Sequence, residues 1–221
     1  MKDLLIFGTG GFARELHQLV EDINVVMPAW NMLGFLDGDA AKIGSQVHGL
    51  TVFGGVDYLE HMCERPVYVA IGIGNPAVRR KVVAAVTAHG ARFATLVHPR
   101  AWVGNRITIG QGSVICAGVL ATTDIAIGAH VIVNIGTTIG HDTIIEDYVT
   151  IAPTVNVSGS IVVGEGADLG TGCTIIQGKN IGAWSIIGAG SVVVKDIAAD
   201  VTAVGAPAQA IKARRAGWHL D

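Results

Sequence analysis

Aliphatic residues recur at every sixth position of this chain between Val103 and Val193, without one insertion. An α-helix repeats near 3.6 residues and an ordinary strand every two, so neither element explains the spacing. A hexapeptide repeat is typical of a parallel β-helix, whose coils stack their apolar residues into one continuous core. With three hexads to a coil, we predict about five coils. All of the sixteen anchors except Ala121 are Val, Ile or Leu: Val103, Ile109, Ile115, Ala121, Ile127, Val133, Ile139, Ile145, Ile151, Val157, Val163, Leu169, Ile175, Ile181, Ile187 and Val193.

The positions that flank the anchors fit the same architecture. Two residues before an anchor the side chain is usually small or β-branched, as at Ser113, Val119, Thr137, Thr143, Val155 and Ala167. Glycine often follows an anchor, at positions 104, 110, 128, 140, 164, 170, 182 and 188. We expect the conformational freedom of these glycines to serve the sharp corners between strands.

The first part of the chain follows a different pattern, in which short apolar runs alternate with amphipathic segments. The runs predict strands at Leu4–Phe7, Met32–Leu36, Val67–Ile71 and Arg92–Val97. Glycine turns at 8–11 and 72–75 each open a predicted helix, the first reaching about Glu21 and the second ending at Gly90. Strands that alternate with helices indicate a small parallel, Rossmann-like α/β domain.

These patterns divide the chain into three parts. We predict an α/β domain over residues 1–97 and a β-helix over residues 98–199. Residues 200–221 are predicted to form a cap that leads into a short basic helix, because the end of a solenoid must be covered.

Composition narrows the class of protein. The net charge of −3 and the pI near 6.2 predict neither a nucleic-acid partner nor an anionic membrane surface. The run Leu4–Phe7 is too short for a signal sequence and no run approaches the ~18 apolar residues of a membrane span, so we expect a cytoplasmic protein. Cys63, Cys116 and Cys173 lack metal-ligand spacing, and the two in the repeat are expected to be buried hydrophobes.

The glycine turns of the α/β domain are candidates for a nucleotide site. Backbone N–H groups at a helix N-terminus can bind a phosphate, although the first turn has Ala13 where the full dinucleotide fingerprint has glycine. Tight packing of the turn and nucleotide binding are both compatible with that motif. An acid at the end of the next strand can contact ribose or base, and the second turn lies at the same sheet edge. The candidate residues are Gly8, Thr9, Gly10, Gly11, Asp37, Gly74 and Asn75.

Two histidines lie in the repeat, and they differ in their surroundings. His130 is expected to be structural. His141 follows a corner glycine and precedes Asp142, so the two side chains can point outward with the carboxylate supporting the imidazole as a base. The histidines are 11 residues apart, which is not a multiple of an 18-residue coil. They should not share a face, and we predict no metal site.

Several motifs together resemble one enzyme family along essentially the whole chain. They are GTGG (8–11), LDGD (36–39), GIGN (72–75), Asn134, His141–Asp142, Gly159 and the terminal VGAPAQ (204–209). The chain resembles the bacterial nucleotide-sugar N-acetyltransferases of the hexapeptide superfamily, which acetylate the 4-amino group of a nucleotide-linked 4-amino-4,6-dideoxyhexose. Sialic-acid O-acetyltransferase-like proteins are close relatives.

The resemblance implies a left-handed parallel β-helix, a homotrimer with active sites between subunits, and acetyl-CoA as cosubstrate along the coils. It implies His141 as the catalytic base and Asp142 as the acid that raises its basicity. Direct acetyl transfer is the simpler mechanism, because the reaction requires no covalent acyl-enzyme. Asn134 would lie near the acceptor sugar, which we expect to be GDP-perosamine, a precursor in O-antigen lipopolysaccharide biosynthesis. The implied acetyl-CoA contacts are Thr150, Gly159, Thr171 and Ala189.

The chain departs from the family at two positions. Thr150 stands nine residues after His141, where relatives often carry a histidine that contacts the coenzyme, and Phe12 replaces a histidine in the glycine turn. Three alternative functions remain open: an O-acetyltransferase of a sialic acid or related sugar, a non-catalytic nucleotide-binding scaffold, and a γ-type carbonic anhydrase. No motif specifies the nucleotide base.

Overall fold

The computed structural model describes residues 1–62 and 66–220, so Cys63 lies outside the described residues. The chain forms two compact units, one of Met1–Gly74 with Val78–Pro99 and one of Asn75–Ala77 with the residues from Arg100 onward. No helix in the described ranges is long and apolar enough to cross a bilayer.

The first unit is built on one twisted sheet with the strand order β3-β4-β2-β1-β5-β6. Every pair is parallel except β3–β4, which is antiparallel. The carboxyl ends of β1, β2 and β5 therefore meet at one edge, where the glycine turns follow. The elements are β1 Lys2–Phe7, α1 Gly11–Val26, β2 Trp30–Leu36, a 3₁₀ turn Ala40–Lys42, β3 Gln46–Val47, β4 Leu50–Gly54, a 3₁₀ segment Val56–Met62, β5 Val67–Ile71, α2 Pro76–Ala88, β6 Arg92–Phe93 and β7 Leu96–Val97.

The predicted parallel α/β unit is confirmed, although β1 and β2 each begin two residues before the predicted bounds and three further details differ. Helix α1 extends to Val26 instead of Glu21, because no breaker occurs before Pro28. The single strand predicted at Arg92–Val97 is two short strands. The antiparallel β3–β4 hairpin was not predicted, although its turn residues His48 and Gly49 both have positive φ, as a two-residue hairpin of this kind requires.

The second unit is a parallel β-helix with three faces, and its strands pair with a register of 18 residues, as in Val114↔Ile132 and Ile132↔Thr150. Three hexads therefore make one coil, as predicted. Face one carries Val114–Ile115, Ile132–Val133, Thr150–Ile151, Asp168–Leu169 and Ile186–Ile187. Face two carries Trp102–Val103, Leu120–Ala121, Thr138–Ile139, Asn156–Val157, Thr174–Ile175 and Val192–Val193. Face three carries Ile107–Ile109, Ile125–Ile127, Ile144–Ile145, Val162–Val163 and Asn180–Ile181.

The predicted core of the β-helix is confirmed. Every anchor from Ile115 to Val193 is buried, while Val103 and Ile109 in the first coil are half-buried. The flanking positions, including Ser113 and Thr143, are also fully buried. Cys116 and Cys173 are buried as expected, and burial raises the pKa of the Cys173 thiol to about 12.

Glycine is required after the anchors for a different reason from the one predicted. A Cβ on Gly140 would lie 2.6 Å from the Gly159 nitrogen of the next coil, so glycine is needed there for space. The left-handed backbone occurs instead three residues after each anchor from Val103 to Ile187, for example at Gly112 with φ +71° and at Asp142 with φ +56°. The prediction that φ explains the first set was wrong.

The predicted short basic helix in the C-terminal cap is also wrong. Val201–Val204 extends face one, and Gln209–Ala213 pairs with it as an antiparallel strand. The edge of the last coil would otherwise expose unpaired N–H and C=O groups, and the stretch between Pro207 and Gly217 is too short for a stable helix. A three-residue 3₁₀ turn, Trp218–Leu220, follows, and His219 stacks on Trp184 with ring centroids 3.7 Å apart.

Candidate active site

The backbone of His141 is fixed at the corner between face two and face three. The Ser160 N–H of the next coil donates to the His141 carbonyl at 2.7 Å, and the Asp142 N–H donates to Thr123 of the preceding coil at 3.3 Å. Asp142 adopts the left-handed conformation, which Asp tolerates better than most residues. The corner therefore holds both side chains on the outside of the coil.

The side chains of His141 and Asp142 form a pair in which the imidazole Nδ1 lies 2.7 Å from Oδ2 of the carboxylate. Because a carboxylate only accepts, Nδ1 carries the hydrogen and Nε2 is left with a lone pair. The side chains are 50% and 63% exposed, so both are accessible to a substrate. The outward-pointing pair predicted from the sequence is present.

Gly159, which belongs to the next coil, lies against the ring of His141. A Cβ on Gly159 would be 2.6 Å from Nε2 and 2.7 Å from Cε1 of the imidazole, so any side chain here would displace the ring. The Gly159 carbonyl accepts from the Gly178 N–H at 3.1 Å, whereas no hydrogen bond among the described residues uses the Gly159 N–H. That N–H is therefore available to a ligand.

A shallow groove of about 320 Å³ lies on face two beside this corner. Its floor is apolar, and its rim carries the Thr138 hydroxyl, which donates to Asn156 Oδ1 at 2.9 Å. The lining residues are Leu120, Thr122, Thr138, Ile139, Gly140, Asn156, Val157 and Ser158.

The other predicted β-helix site residues do not lie at the His141 corner. Asn134, Thr171 and Ala189 lie at the corner between face one and face two, and Thr150 lies on a strand of face one. Asn134 Oδ1 accepts the N–H of the next residue at 2.7 Å. Thr171 and Ala189 are exposed, while Thr150 is buried. One chain thus presents His141 and Gly159 at one corner, and Thr171 and Ala189 at another.

The glycine turn after β1 combines both properties considered from the sequence. Gly8 has φ +106°, and a Cβ on it would lie 3.1 Å from the Gly72 carbonyl oxygen, so this glycine serves tight packing. Gly10 and Gly11 have open space around them. Gly10 is the N-cap of α1 and supplies no side-chain cap, which leaves the first-turn N–H groups available to an anion.

Asp37 lies at the end of β2 and contacts this turn. Its Oδ2 accepts from the Thr9 hydroxyl at 2.5 Å and from Lys42 Nζ at 2.9 Å, and its Oδ1 accepts the Asp39 N–H at 3.0 Å. Burial opposes ionisation, but these hydrogen bonds together lower the pKa of Asp37 below its ordinary value. The structure thus joins Thr9 and Asp37, and it adds Lys42, which the sequence did not single out.

The second turn, with Gly74 and Asn75, is shaped by a buried arginine. Arg79 on α2 is 1% exposed, and its Nη1 donates to the carbonyls of Ile73 and Gly74 at 2.9 and 2.8 Å. Arg79 was not predicted from the sequence. Its position one turn into the helix that follows the glycines is the signal that could have identified it.

The remaining histidine of the repeat is structural, as expected. His130 is 3% exposed and stacks on Tyr148 with ring centroids 5.4 Å apart. It lies at the corner between face three and face one, away from His141. Across residues 1–62 and 66–220, no three His, Cys, Asp or Glu side chains are grouped to hold a metal ion.

Comparison with known proteins identifies relatives of the whole chain. Residues 3–86 match the family model described as the PglD N-terminal domain. GDP-perosamine N-acetyltransferase from Escherichia coli O157:H7 is 33% identical over 213 residues, which cover 94% of this chain and 95% of that protein.

Solved structures agree along the same length. PerB from Caulobacter crescentus, crystallised in complex with CoA and GDP-perosamine, is 30% identical with a TM-score of 0.86, over 96% of this chain and 98% of that one. Variants of that perosamine N-acetyltransferase with a histidine replaced by asparagine or alanine have been crystallised with the same two ligands. The acetyltransferase domain of PglB from Neisseria gonorrhoeae, in complex with acetyl coenzyme A, is 29% identical with a TM-score of 0.83, over 95% and 99% of the chains. The predicted fold class, a left-handed parallel β-helix preceded by a Rossmann-like α/β domain, is confirmed.

Proposed function

The chain belongs to the family of sugar N-acetyltransferases that includes GDP-perosamine N-acetyltransferase, and from this membership we propose its reaction. It transfers the acetyl group of acetyl-CoA to the 4-amino group of a nucleotide-linked 4-amino-4,6-dideoxy sugar, with GDP-perosamine as the leading candidate. The observation that carries the proposal is the His141–Asp142 pair with Gly159 beside the free imidazole nitrogen.

His141 is the general base of this reaction. A sugar ammonium must lose a proton before its nitrogen can attack, and the Nε2 lone pair of His141 accepts that proton. Asp142 holds Nδ1–H and stabilises the imidazolium that forms. A base positioned in this way contributes about 10²–10⁴-fold to the rate.

The bond changes balance without a covalent enzyme intermediate. The amine nitrogen attacks the thioester carbon, and the carbonyl oxygen becomes an oxyanion that accepts the Gly159 N–H. The C–S bond then breaks, and the CoA sulfur takes the proton from the His141 imidazolium. The attacked nitrogen gives up its second proton through the vacated Nε2 to solvent, and the acetyl group remains on nitrogen as an amide. A single donor to the oxyanion contributes roughly 10²–10³-fold.

The α/β unit binds the nucleotide part of the acceptor. Open N–H groups at Gly10 and Gly11 receive a phosphate, and Lys42 adds a positive charge next to Thr9. Binding of the nucleotide immobilises the acceptor, which lowers the entropic part of the barrier to transfer. Gly74 and Asn75 border the same sheet edge and complete the site.

The acting species is a homotrimer with acetyl-CoA between subunits. His141 lies at one corner of the β-helix, whereas Thr171 and Ala189 lie at another, and this separation supports a site completed by a second copy. An active site shared between subunits predicts that two inactive variants complement each other in mixed trimers. Mixed trimers of His141→Ala and Ala189→Trp should regain activity that neither parent has, and full inactivity of the mixture would contradict shared sites.

The reaction is tested with a panel of GDP- and UDP-linked 4-amino sugars, each paired with the corresponding 4-hydroxy sugar. Release of the CoA thiol gives the rate, and mass spectrometry with hydrolysis in mild base distinguishes an amide from an ester. We expect consumption of the amino sugars alone. Ester formation on the hydroxyl sugars would establish an O-acetyltransferase, and absence of both transfer and CoA binding would establish a scaffold.

A further inference from the structure

A column of residues at the His141 corner contains two charged side chains that the proposed reaction leaves unassigned. Parallel pairing with an 18-residue register, as in Ala126↔Ile144, stacks Asp124 on Asp142 and Thr123 on His141 in adjacent coils. The Asp142 N–H donates to the Thr123 carbonyl at 3.3 Å, which ties the two levels together. Asp124 and Asp142 share the left-handed conformation, with φ +55° and +56°, so their side chains leave the corner in the same direction.

Arg106, one coil further down, holds Asp124 in place. Its Nε donates to Asp124 Oδ1 at 2.6 Å, and its Nη2 donates to the Thr123 hydroxyl at 2.9 Å and to Asp124 Oδ2 at 3.3 Å. The Thr123 hydroxyl in turn donates to Asp124 Oδ2 at 3.0 Å. The carboxylate is thereby oriented by three hydrogen bonds, two of them from one planar guanidinium.

Hydrogen bonding keeps Asp124 ionised. The bond from Arg106 lowers the pKa of Asp124 below its ordinary value, and the Thr123 hydroxyl and the charge of protonated His141 act in the same direction. Attraction between a carboxylate and an imidazolium is mutual. Thr123 stacks below His141 and Asp124 follows Thr123 in the chain, so the Asp124 carboxylate attracts a protonated imidazole one coil above it.

We propose that Asp124, oriented by Arg106, is a positioning residue that acts through His141 by stabilising its protonated form. The proposal rests on the proposed function, in which His141 takes up the amine proton. Asp142 orients the imidazole by direct contact, and Asp124 adds a second negative charge one coil away. Arg106 has two opposing effects, because it fixes the carboxylate and also places a positive charge behind it.

The charged groups around His141 are few within the described part of the chain. Asp142 contacts the ring, Asp124 acts across one coil, and Arg106 lies beyond Asp124. The coil on the other side presents Gly159 and Ser160, which carry no charge, and Lys179 lies one coil further. Below the ring, the opposing charges of Asp124 and Arg106 are therefore the main ones that substitutions can change.

The test measures the titration of the His141 ring by NMR in the full-length protein, with the signal assigned by its loss in His141→Ala. Asp124→Asn removes the negative charge and leaves Arg106, so the midpoint should move to lower pH. Arg106→Asn leaves the carboxylate alone, so the midpoint should move to higher pH. Each shift should be roughly 0.1–0.7 pH unit, as for charges at exposed positions. Asparagine suits the left-handed backbone at both positions, so the fold should be retained.

A matched control is available on the same side of the solenoid. Asp196 accepts the Asn180 N–H at 2.9 Å, and Asn180 lies two coils beyond the level of Ile144. At the spacing of paired strands the carboxylate is about 10–13 Å from that level. That distance exceeds the Debye length of about 8 Å at physiological salt, so Asp196→Asn should not move the midpoint. The double variant Arg106→Asn/Asp124→Asn should shift less than either single one.

Shifts of opposite sign in the two single variants support the proposal, because a merely structural pair would give no shift or the same shift in both. No shift, or shifts of one sign, would overturn it. The acidic limb of kcat against pH is measured on the same variants. If the ring midpoint moves while that limb does not, the electrostatic coupling stands and the assignment of His141 as base fails.

Discussion

Gly159→Ala is the substitution that tests the geometry of the active site most directly. The new methyl carbon would lie 2.6 Å from Nε2, 2.7 Å from Cε1 and 3.0 Å from Cδ2 of His141. Non-bonded atoms prefer about 3.5–4.0 Å, so the ring must move outward by about 1 Å. A misplacement of that size costs about 10²-fold in rate. The ring is half exposed and can move with little loss of stability, so kcat should fall while the melting temperature hardly changes.

A double-mutant cycle separates this displacement from other effects of the methyl group. In a His141→Ala background no ring is present to displace, so adding Gly159→Ala should change the residual kcat less than about threefold. The assay is CoA release at saturating acetyl-CoA and acceptor. A kcat for Gly159→Ala within about threefold of wild type would refute the reasoning. Equal losses in both backgrounds would assign the effect to blocking of the thioester, and not to the imidazole.

Three further predictions follow from the same structure. His141→Ala should lower kcat by about 10²–10⁴-fold with small effects on KM, and high pH should partly restore its activity. Asp142→Asn should lower kcat less. If His141→Ala retains more than about a tenth of the wild-type kcat, His141 is not the base. Because hydrogen bonds lower the pKa of Asp37, its ionised form stabilises the fold above about pH 4 and this stability is lost on acidification, so thermal unfolding between about pH 5 and pH 3 should depend less on pH in Asp37→Asn. Ile151→Ala should reduce the free energy of unfolding by about 2–5 kcal/mol in denaturant titrations, because Ile151 is fully buried among stacked coils.

The architecture of the second unit could be predicted from the sequence because one signal repeats many times. Each hexad anchor is weak evidence, but an unbroken series from Val103 to Val193 leaves one structure that buries all of them. The reason for the corner glycines could not be read in the same way. Gly140 needs room for the backbone of the next coil, and such an approach becomes visible only when the coils are stacked.

The candidate site was predictable where its members are neighbours in the chain or in the repeat. His141 and Asp142 are adjacent, and Gly159 lies one 18-residue coil after His141. Lys42 is different, since it reaches Asp37 only through the 3₁₀ turn at Ala40–Lys42, which no apolar period marks. The prediction for the C-terminal segment was wrong for a related reason. Its conformation is decided by pairing with the exposed edge at Val201–Val204.

The repeat also contains information that local reading of motifs did not use. Positions 18 residues apart stack, so Arg106, Asp124 and Asp142 form one column, while Thr171 and Ala189 form another at a different corner. The period alone cannot say which corner meets a partner, because all three corners repeat alike. If catalysis needs residues from both columns, one chain is enough to form the fold, but an active site requires more than one chain. The complementation experiment therefore tests which corners combine in one active site, and the hexad pattern cannot show this.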